Sequence, residues 1–210
     1  MFQIEVSDEE KEYAIKLVDY SIIHHPVKDI FANDPNAMKR QREFRYTGTL
    51  GEVVFADVYG LSRPKRSFGA IDGQDYGEDF KISVNGNLVS VDIKSMHRKN
   101  NLFRGDYVLN IASYQLHKDF SLTDYYFCIS FHSNEDKTYG TFVGFVKKED
   151  ILNGNIGELF LSGSKRNRED NSSFVFLRDT YEIKFKDILP PSIPEDIKMK
   201  SGFRKIRLLK

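Results

Sequence analysis

The sequence lacks the features that mark secreted, membrane-embedded and nucleotide-cofactor proteins. It contains one cysteine, Cys128, so no intrachain disulfide can form, which is typical of a reducing cytoplasm. No hydrophobic run approaches the length of a membrane span, and the N-terminus has no apolar signal-peptide core. No Gly-x-Gly-x-x-Gly or Walker pattern is present, which argues against a nucleotide-cofactor loop. We therefore expect a soluble, cytoplasmic protein without a membrane partner.

The chain also lacks a net charge, because 31 lysines and arginines balance 31 aspartates and glutamates. Many nucleic-acid-binding proteins are basic overall, so this balance argues neither for nor against such a partner, and local patches must decide. There is no internal repeat and no low-complexity segment. A length of 210 residues is most simply one globular domain with a full core. We assign residues 1–190 to that domain and residues 191–210 to a basic C-terminal tail.

Residues 79–94 have the pattern of a β-hairpin. Apolar residues alternate with polar ones on both sides of an Asn-Gly pair, namely Phe80, Ile82 and Val84 before it and Val89, Val91 and Ile93 after it. Such alternation is typical of a half-buried strand. Asn85-Gly86 is a strong turn signal, because both central residues of a type I′ turn need positive φ.

Two registers fit this hairpin, and they place its charged side chains differently. With Asn85-Gly86 as the loop, Asp79 lies opposite Asp92. Sliding the loop by one residue would instead place Lys81 opposite Asp92 and Asp79 opposite Lys94. Both registers keep the four charged side chains on one face and the apolar ones on the other, whereas an odd loop would mix them.

Two carboxylates on opposed positions of a hairpin require an explanation. Opposed side chains have Cβ atoms about 4.5–5.5 Å apart, and like charges there are destabilising. A divalent cation between Asp79 and Asp92 is the simplest solution, since Mg²⁺ prefers oxygen ligands and typically uses one or two carboxylates plus substrate phosphates. Lys94 would add a hydrogen-bond donor on the same face, beside the same ion.

The hairpin resembles the PD-(D/E)XK nuclease superfamily, the fold of many restriction enzymes and Holliday-junction resolvases. The family pattern is an acidic residue at the start of one strand and acid-x-Lys on the next, matched here by Asp79 and Asp92-Ile93-Lys94. Asp92 replaces the commoner glutamate, and Glu78 stands where the family name has its proline. Gly48-x-x-Gly51-Glu52 is similar to the helix that precedes the hairpin in many members. The resemblance covers roughly residues 48–131.

The resemblance implies an α/β fold with a central mixed β-sheet flanked by helices, in a restriction-endonuclease-like core. It implies Mg²⁺, or Mn²⁺ as a substitute, with four ligands: Asp79, Asp92, the carbonyl of Ile93, and Glu52. Lys94 would be catalytic, by orienting water or stabilising charge. Some relatives place a polar residue on the helix after the lysine strand, and Gln115 is the candidate for it. Without the resemblance, Glu52 and Gln115 would be ordinary solvated side chains.

Three basic segments are candidates for contact with a phosphate backbone. Their members are Lys39, Arg40, Arg42 and Arg45 in the first segment, Arg63, Lys65 and Arg66 in the second, and His97, Arg98, Lys99 and Arg104 in the third. The first is interleaved with Phe44 and Tyr46, and a solvated helical face explains it equally well. The C-terminal tail is basic too, and either nucleic-acid contact or a solubilising end accounts for it.

Other patterns predict the elements around the hairpin. Helices are expected from Ser7 to about Ile22, over Thr47–Leu61, over Ile111–Phe120 and over Lys148–Leu152; strands are expected at Phe2–Val6, Tyr107–Asn110, Tyr125–Phe131, Thr141–Val146, Ser173–Leu177 and Tyr181–Phe185, with one more within Gly154–Gly163. Ser7 and Glu10 form a capping-box pattern. Gly51, a poor helix former, suggests close approach of other backbone. Lys165–Asp170 is expected to be a loop, and Cys128 a buried, inert thiol.

The expected function is metal-dependent hydrolysis of phosphodiester bonds in nucleic acid, most simply by an endonuclease acting on double-stranded DNA in restriction, repair or a mobile element. A homodimer is compatible, since cutting both strands often takes two active sites. A second interpretation keeps the nuclease fold as a module that binds nucleic acid or protein without catalysis. A third is a plain α/β domain in which Asp79 and Asp92 form surface salt bridges with Lys81 and Lys94, worth about 0–1 kcal/mol each.

Overall fold

The computed structural model describes residues 1–24, 37–65, 79–84, 86–98, 104–117, 122–167, 173–191 and 207–208. They form a six-stranded sheet, a three-stranded sheet, a two-stranded sheet and several helices. The larger sheet is mixed, because one of its strand pairs is parallel and the others are antiparallel. The predicted α/β class with a mixed sheet is therefore confirmed.

The helices are α1 (Asp8–His24), α2 (Ala37–Tyr59), α3 (Ser113–Leu116) and α4 (Lys148–Leu152), with a 3₁₀ turn at Phe185–Asp187. The strands are β1 (Phe2–Glu5), β2 (Phe80–Val84), β3 (Asn87–Arg98), β4 (Val108–Ala112), β5 (Tyr125–Asn134), β6 (Lys137–Lys147), β7 (Glu158–Phe160), β8 (Lys165–Asn167), β9 (Ser173–Val175), β10 (Thr180–Lys184) and β11 (Arg207–Leu208). The sheet orders are β11-β1-β6-β5-β3-β2, β4-β10-β7 and β8-β9.

Strands β2 and β3 form the predicted hairpin, in the first of its two registers. Val84 pairs with Asn87 and Phe80 pairs with Val91, so the alternative loop is wrong. Gly86 has φ of 80°, as a tight two-residue turn requires; Asn85 lies outside the described residues. Strand β3 continues to Arg98, well past its last pair with β2.

The first helix begins at the predicted capping box. Glu10 Oε2 accepts a hydrogen bond from Ser7 N at 2.8 Å, and Ser7 Oγ accepts one from Glu10 N at 3.3 Å. Helix α2 begins at Ala37 rather than Thr47, so the whole first basic segment is helical. That half of α2 carries no apolar stripe, and contacts with α1 stabilise it instead.

Each face of the six-stranded sheet buries its own apolar cluster. Helices α1 and α2 cover one face, where Val54, Ile93 and Phe127 are among the buried residues. The three-stranded sheet covers the other face, where Ile111, Cys128 and Ile183 are buried. Because side chains alternate along a strand, neighbouring residues of β3 and β5 belong to different clusters. Burial raises the pKa of the Cys128 thiol, and the predicted buried thiol is confirmed.

Gly51 allows α2 to lie close against β3. A Cβ atom on Gly51 would lie 2.6 Å from Ser95 Oγ, and Ser95 Oγ donates a hydrogen bond to Thr47 O at 2.7 Å. A neighbouring segment does approach this glycine closely, but the nearest atoms belong to side chains of β3 rather than to backbone as predicted.

Two of the predicted local structures are wrong. Lys165–Asn167 forms strand β8, paired with β9, rather than a loop. A charged stretch of sequence precedes β9, and these charged residues hide the alternation of apolar and polar residues that would indicate a strand. Ile111 and Ala112 belong to β4, so the helix after it spans only Ser113–Leu116 among the described residues. At the other end of the chain, Arg207–Leu208 of the basic tail pairs with β1.

Candidate functional site

Asp92 and Lys94 lie on the same face of β3 and form an ion pair. Lys94 Nζ lies 2.8 Å from Asp92 Oδ2. The two-residue spacing directs both side chains away from α2, which packs on the Ile93 face. Only 16 % of the Asp92 side chain and 20 % of the Lys94 side chain are exposed. The pair is thus largely shielded from water, unlike the surface salt bridges expected of a plain structural face.

Tyr126 lies behind this pair, and sequence reasoning did not identify it. Strand β5 runs parallel to β3, and the register sets Tyr126 beside Asp92. Lys94 Nζ lies 5.6 Å from the Tyr126 ring centroid, within cation–π range. Burial, and secondarily the charge of Asp92, raises the pKa of the Tyr126 hydroxyl, which therefore stays protonated. Tyr126 is identified as a neighbour only from the register of β3 with β5. No local sequence pattern indicates that register.

Asp79 lies at the open end of the hairpin, next to the Asp92 position. Its N–H donates to Val91 O at 2.9 Å, and its Oδ2 accepts a hydrogen bond from Ile93 N at 2.7 Å. Asp79 directly precedes β2, and its carboxylate accepts the hydrogen bond from Ile93 N that the backbone of a paired strand would otherwise accept. The N–H and C=O of one strand residue point to the same side, so the Ile93 carbonyl also lies on the Asp79 side of β3. One further step of the observed register puts Asp79 opposite Asp92.

The donor set of this site suits a hard cation only in part. Within the described ranges, no group of three or more His, Cys, Asp or Glu side chains is arranged around one point to hold a metal ion. Asp79 and Asp92 offer two carboxylates, and the adjacent Ile93 carbonyl is a third oxygen. Mg²⁺ typically takes one or two carboxylates and completes its shell with water and substrate phosphates. The two carboxylates and the carbonyl are therefore donors of the kind that Mg²⁺ uses, but they do not fill its coordination shell.

Glu52 and Gln115 lie on opposite sides of the sheet. Glu52 follows Gly51 on α2, and α2 packs on the face of β3 opposite to Asp92 and Lys94. Gln115 lies on α3, whose Leu116 packs into the same cluster as Tyr126. Gln115 is therefore on the Lys94 side of the sheet, whereas Glu52 would have to reach the site around the edge of β3.

The first basic segment divides into exposed and buried members. Lys39, Arg40 and Arg42 are exposed on the first turns of α2. Arg42 Nη2 lies 2.7 Å from Asp19 Oδ1 on α1. Arg45 is only 2 % exposed, and its Nη1 donates to Ser21 Oγ at 2.7 Å. Arg45 joins the two helices and does not face solvent, so it is unsuited to the phosphate contact predicted for it.

The second basic segment offers one exposed cation among its described residues. Arg63 is held by Asp57, with Nη2 to Oδ2 at 2.7 Å, and by Glu9, with Nη1 to Oε1 at 2.9 Å. These carboxylates raise the pKa of the Arg63 guanidinium. The two ion pairs hold the loop that carries Arg63 against α1 and α2. Lys65 is exposed, and Arg66 lies outside the described residues.

The third basic segment is also mixed. Arg98 Nη2 donates to Val108 O at 2.7 Å, and its guanidinium lies 4.7 Å from the Tyr107 ring centroid. Burial lowers the pKa of Arg98, which fastens β4 to the end of β3. His97 is exposed with Nε2 3.1 Å from Ser133 Oγ. Arg104 pairs with Asp106, with Nη2 to Oδ2 at 2.6 Å; Lys99 lies outside the described residues.

At the level of class, this is an α/β protein with a largely shielded acid–lysine pair on the strand next to one edge of a mixed sheet. No protein-family model, curated protein or solved structure matches the chain. None of the described helices is both long and apolar enough to cross a membrane. The functional argument therefore depends on the residues themselves.

Proposed function

We propose that the protein is a Mg²⁺-dependent nuclease that hydrolyses phosphodiester bonds of nucleic acid, most simply DNA, at the site of Asp79, Asp92 and Lys94. The observation that carries the proposal is the shielded Asp92–Lys94 pair with Asp79 at the same end of the hairpin. Removing an ion pair from water carries a desolvation penalty that an exposed pair avoids. Charged groups in such environments cluster at functional sites. The resemblance to PD-(D/E)XK nucleases, including its restriction-endonuclease-like core, gives this site a chemistry.

The proposed roles follow from the positions of the three side chains. Asp79 and Asp92 would supply carboxylate ligands, and the hydrogen bond from Ile93 N fixes the orientation of Asp79. A divalent cation bound there lowers the pKa of water and stabilises charge on the phosphate. Lys94 would direct its ammonium group to a phosphate oxygen or to the attacking water, and thereby stabilise negative charge in the transition state.

Other residues would support this site from a greater distance. Glu52 and Gln115 would act as outer members of the site. Exposed cations such as Lys39, Arg40 and Lys65 would contact the phosphate backbone, which contributes affinity but no sequence information. Cleavage of both strands would require two such sites, as a homodimer provides.

The test is cleavage of plasmid DNA, single-stranded DNA and RNA with Mg²⁺ or Mn²⁺. Asp92→Asn keeps the size of the side chain and removes its charge. Lys81→Ala is the matched control, because Lys81 is an exposed charged residue of the same hairpin. We expect metal-dependent cleavage by the wild type and by Lys81→Ala, and none by Asp92→Asn, with folding checked by circular dichroism.

Two results would reject the proposal. Equal cleavage by wild type and Asp92→Asn would remove the site from the reaction. Absence of cleavage on every substrate, with nucleic-acid binding intact, would support the interpretation as a non-catalytic binding module.

A further inference from the structure

The paired ends of α1 and α2 expose several large apolar side chains. Tyr20 is 58 % exposed and Ile23 71 % on α1, while Met38 is 71 % exposed and Phe44 62 % on α2. Scattered apolar residues are normal on protein surfaces. Four of them at one end of a helix pair, two of them aromatic, are typical of a binding surface.

Side-chain contacts hold this end of the molecule in a fixed arrangement. The Arg42–Asp19 ion pair and the buried Arg45–Ser21 hydrogen bond connect the last turns of α1 to the first turns of α2. On α1, the ring of His24 lies 4.2 Å from that of Tyr20, centroid to centroid. The exposed aromatic groups therefore lie on two helices whose ends are held together by these contacts.

The same end of the molecule is basic. Its exposed described residues include three cations, Lys39, Arg40 and Arg42, against the carboxylates of Asp19 and Glu43, and Arg42 is paired with Asp19. Arg40 and Phe44 are four residues apart on one helix and therefore share a face. Exposed cations beside exposed aromatic rings are the combination that binds single-stranded nucleic acid, because cations contact the backbone and bases stack on rings.

We propose that the exposed face of α2 that carries Arg40 and Phe44 binds an unpaired stretch of nucleic acid. A base stacks on Phe44, while Arg40 contacts a phosphate. In a duplex the base faces are covered by their neighbours, so a ring on a braced helix finds a free base only where a strand is unpaired. The inference rests on the proposed function and narrows its substrate to nucleic acid with a single-stranded segment.

Electrostatics favours nucleic acid over a second copy of the chain on this surface. In a symmetric dimer the same patch lies on both sides of the interface. Lys39 and Arg40 of one copy would then approach those of the other, and like charges across an interface are unfavourable. A polyanion neutralises them.

The experiment is fluorescence anisotropy with a labelled single-stranded DNA oligonucleotide and the corresponding duplex, in EDTA so that no cleavage occurs. Phe44→Ala should weaken single-strand binding about fivefold or more, the range of one lost base stack. Phe44→Tyr keeps the ring and should change affinity little. Leu177→Ala is the matched control, because Leu177 is an apolar residue shortly after β9 and is 87 % exposed. Arg40→Gln should reduce the salt slope by about 0.7.

Three outcomes would overturn the inference: unchanged single-strand affinity in Phe44→Ala, an equal loss for the duplex, or a wild-type dimer that Phe44→Ala dissociates in sedimentation. The proposed function fails separately. If the wild type binds single strands through Phe44 but cleaves nothing with Mg²⁺ or Mn²⁺, the inference stands without the nuclease. If the wild type cleaves and Phe44→Ala binds normally, the nuclease stands without the inference.

Discussion

Among the described residues, the ion pairs Arg166–Glu182 and Asp92–Lys94 are both partly shielded from water, and they differ in what they connect. Arg166 of β8 pairs with Glu182 of β10, whose side chain is 4 % exposed. This pair joins the β8–β9 hairpin to the three-stranded sheet. Asp92 and Lys94 are two residues apart on one strand, so their pair joins no two elements. The first pair has an evident structural purpose, and the second does not.

The difference bears on how the Asp92–Lys94 pair is understood. Shielding an ion pair carries a desolvation penalty. For Arg166–Glu182, the pair also attaches the β8–β9 hairpin to the three-stranded sheet, which is a structural reason for the shielding. For Asp92–Lys94 the local strand geometry would be the same with apolar residues at both positions. Asp79, anchored to the next residue of β3, adds a second carboxylate at the same place. The proposed metal site, in which a cation and substrate would take the place of the ammonium group, offers a reason for this pair that the docking of elements does not.

The largest expected effect is on cleavage by Lys94→Met. Loss of one positioned donor that stabilises transition-state charge should lower the cleavage rate about 10²–10³-fold. It should also leave the shielded Asp92 carboxylate without its partner, at about 1–3 kcal/mol of stability. Mg²⁺ should restore much of that stability, because the cation takes the place of the ammonium group. Urea unfolding with and without Mg²⁺, beside single-turnover cleavage, measures both effects.

A variant whose lost stability Mg²⁺ does not restore would show that Asp92 is not a metal ligand. Unchanged cleavage would make the Asp92–Lys94 pair structural, like Arg166–Glu182.

The next effect is on stability alone, in Arg166→Met. Removing one partner from a buried pair leaves an uncompensated charge, and we expect a loss of about 3 kcal/mol in the free energy of unfolding. Glu182 Oε1 already has no hydrogen-bond partner among the described residues, so little can compensate. Mg²⁺ should not restore the loss, and cleavage per folded molecule should be unchanged. Urea unfolding with and without Mg²⁺ provides the measurement.

A loss of cleavage in fully folded Arg166→Met protein would contradict the separation of the two pairs. So would a stability loss that Mg²⁺ reverses, since it would place a second cation site at Glu182.

Local sequence patterns predicted the parts of the molecule that local contacts determine. The β2–β3 hairpin follows from alternation and one Asn-Gly turn, and the α1 start follows from Ser7 and Glu10, three residues apart. The shared face of Asp92 and Lys94 follows from their spacing along one strand, since residues two apart share a face. Each of these interactions lies within a short window of the sequence.

What sequence reasoning missed depends on contacts between distant segments. Arg45 was expected at a surface, but α1 covers it through Ser21. Strand β8 depends on pairing with β9, and Tyr126 reaches Lys94 only because β5 lies parallel to β3. A parallel pairing requires a crossover, so no turn residue announces its register.

The smallest expected effect tests that missed neighbour, through Tyr126→Phe and Tyr126→Leu. The Tyr126 ring lies under the Lys94 ammonium group, and a shielded cation–π contact is worth about 0.5–2 kcal/mol. If Tyr126 positions Lys94, Tyr126→Leu should lower the cleavage rate about tenfold by the upper part of that range. Tyr126→Phe keeps the ring and should stay near the wild-type rate. Equal losses in both variants would instead assign the effect to the Tyr126 hydroxyl, which burial and the charge of Asp92 keep protonated. No loss in either variant would show that the Tyr126 ring contributes to core packing and does not position Lys94.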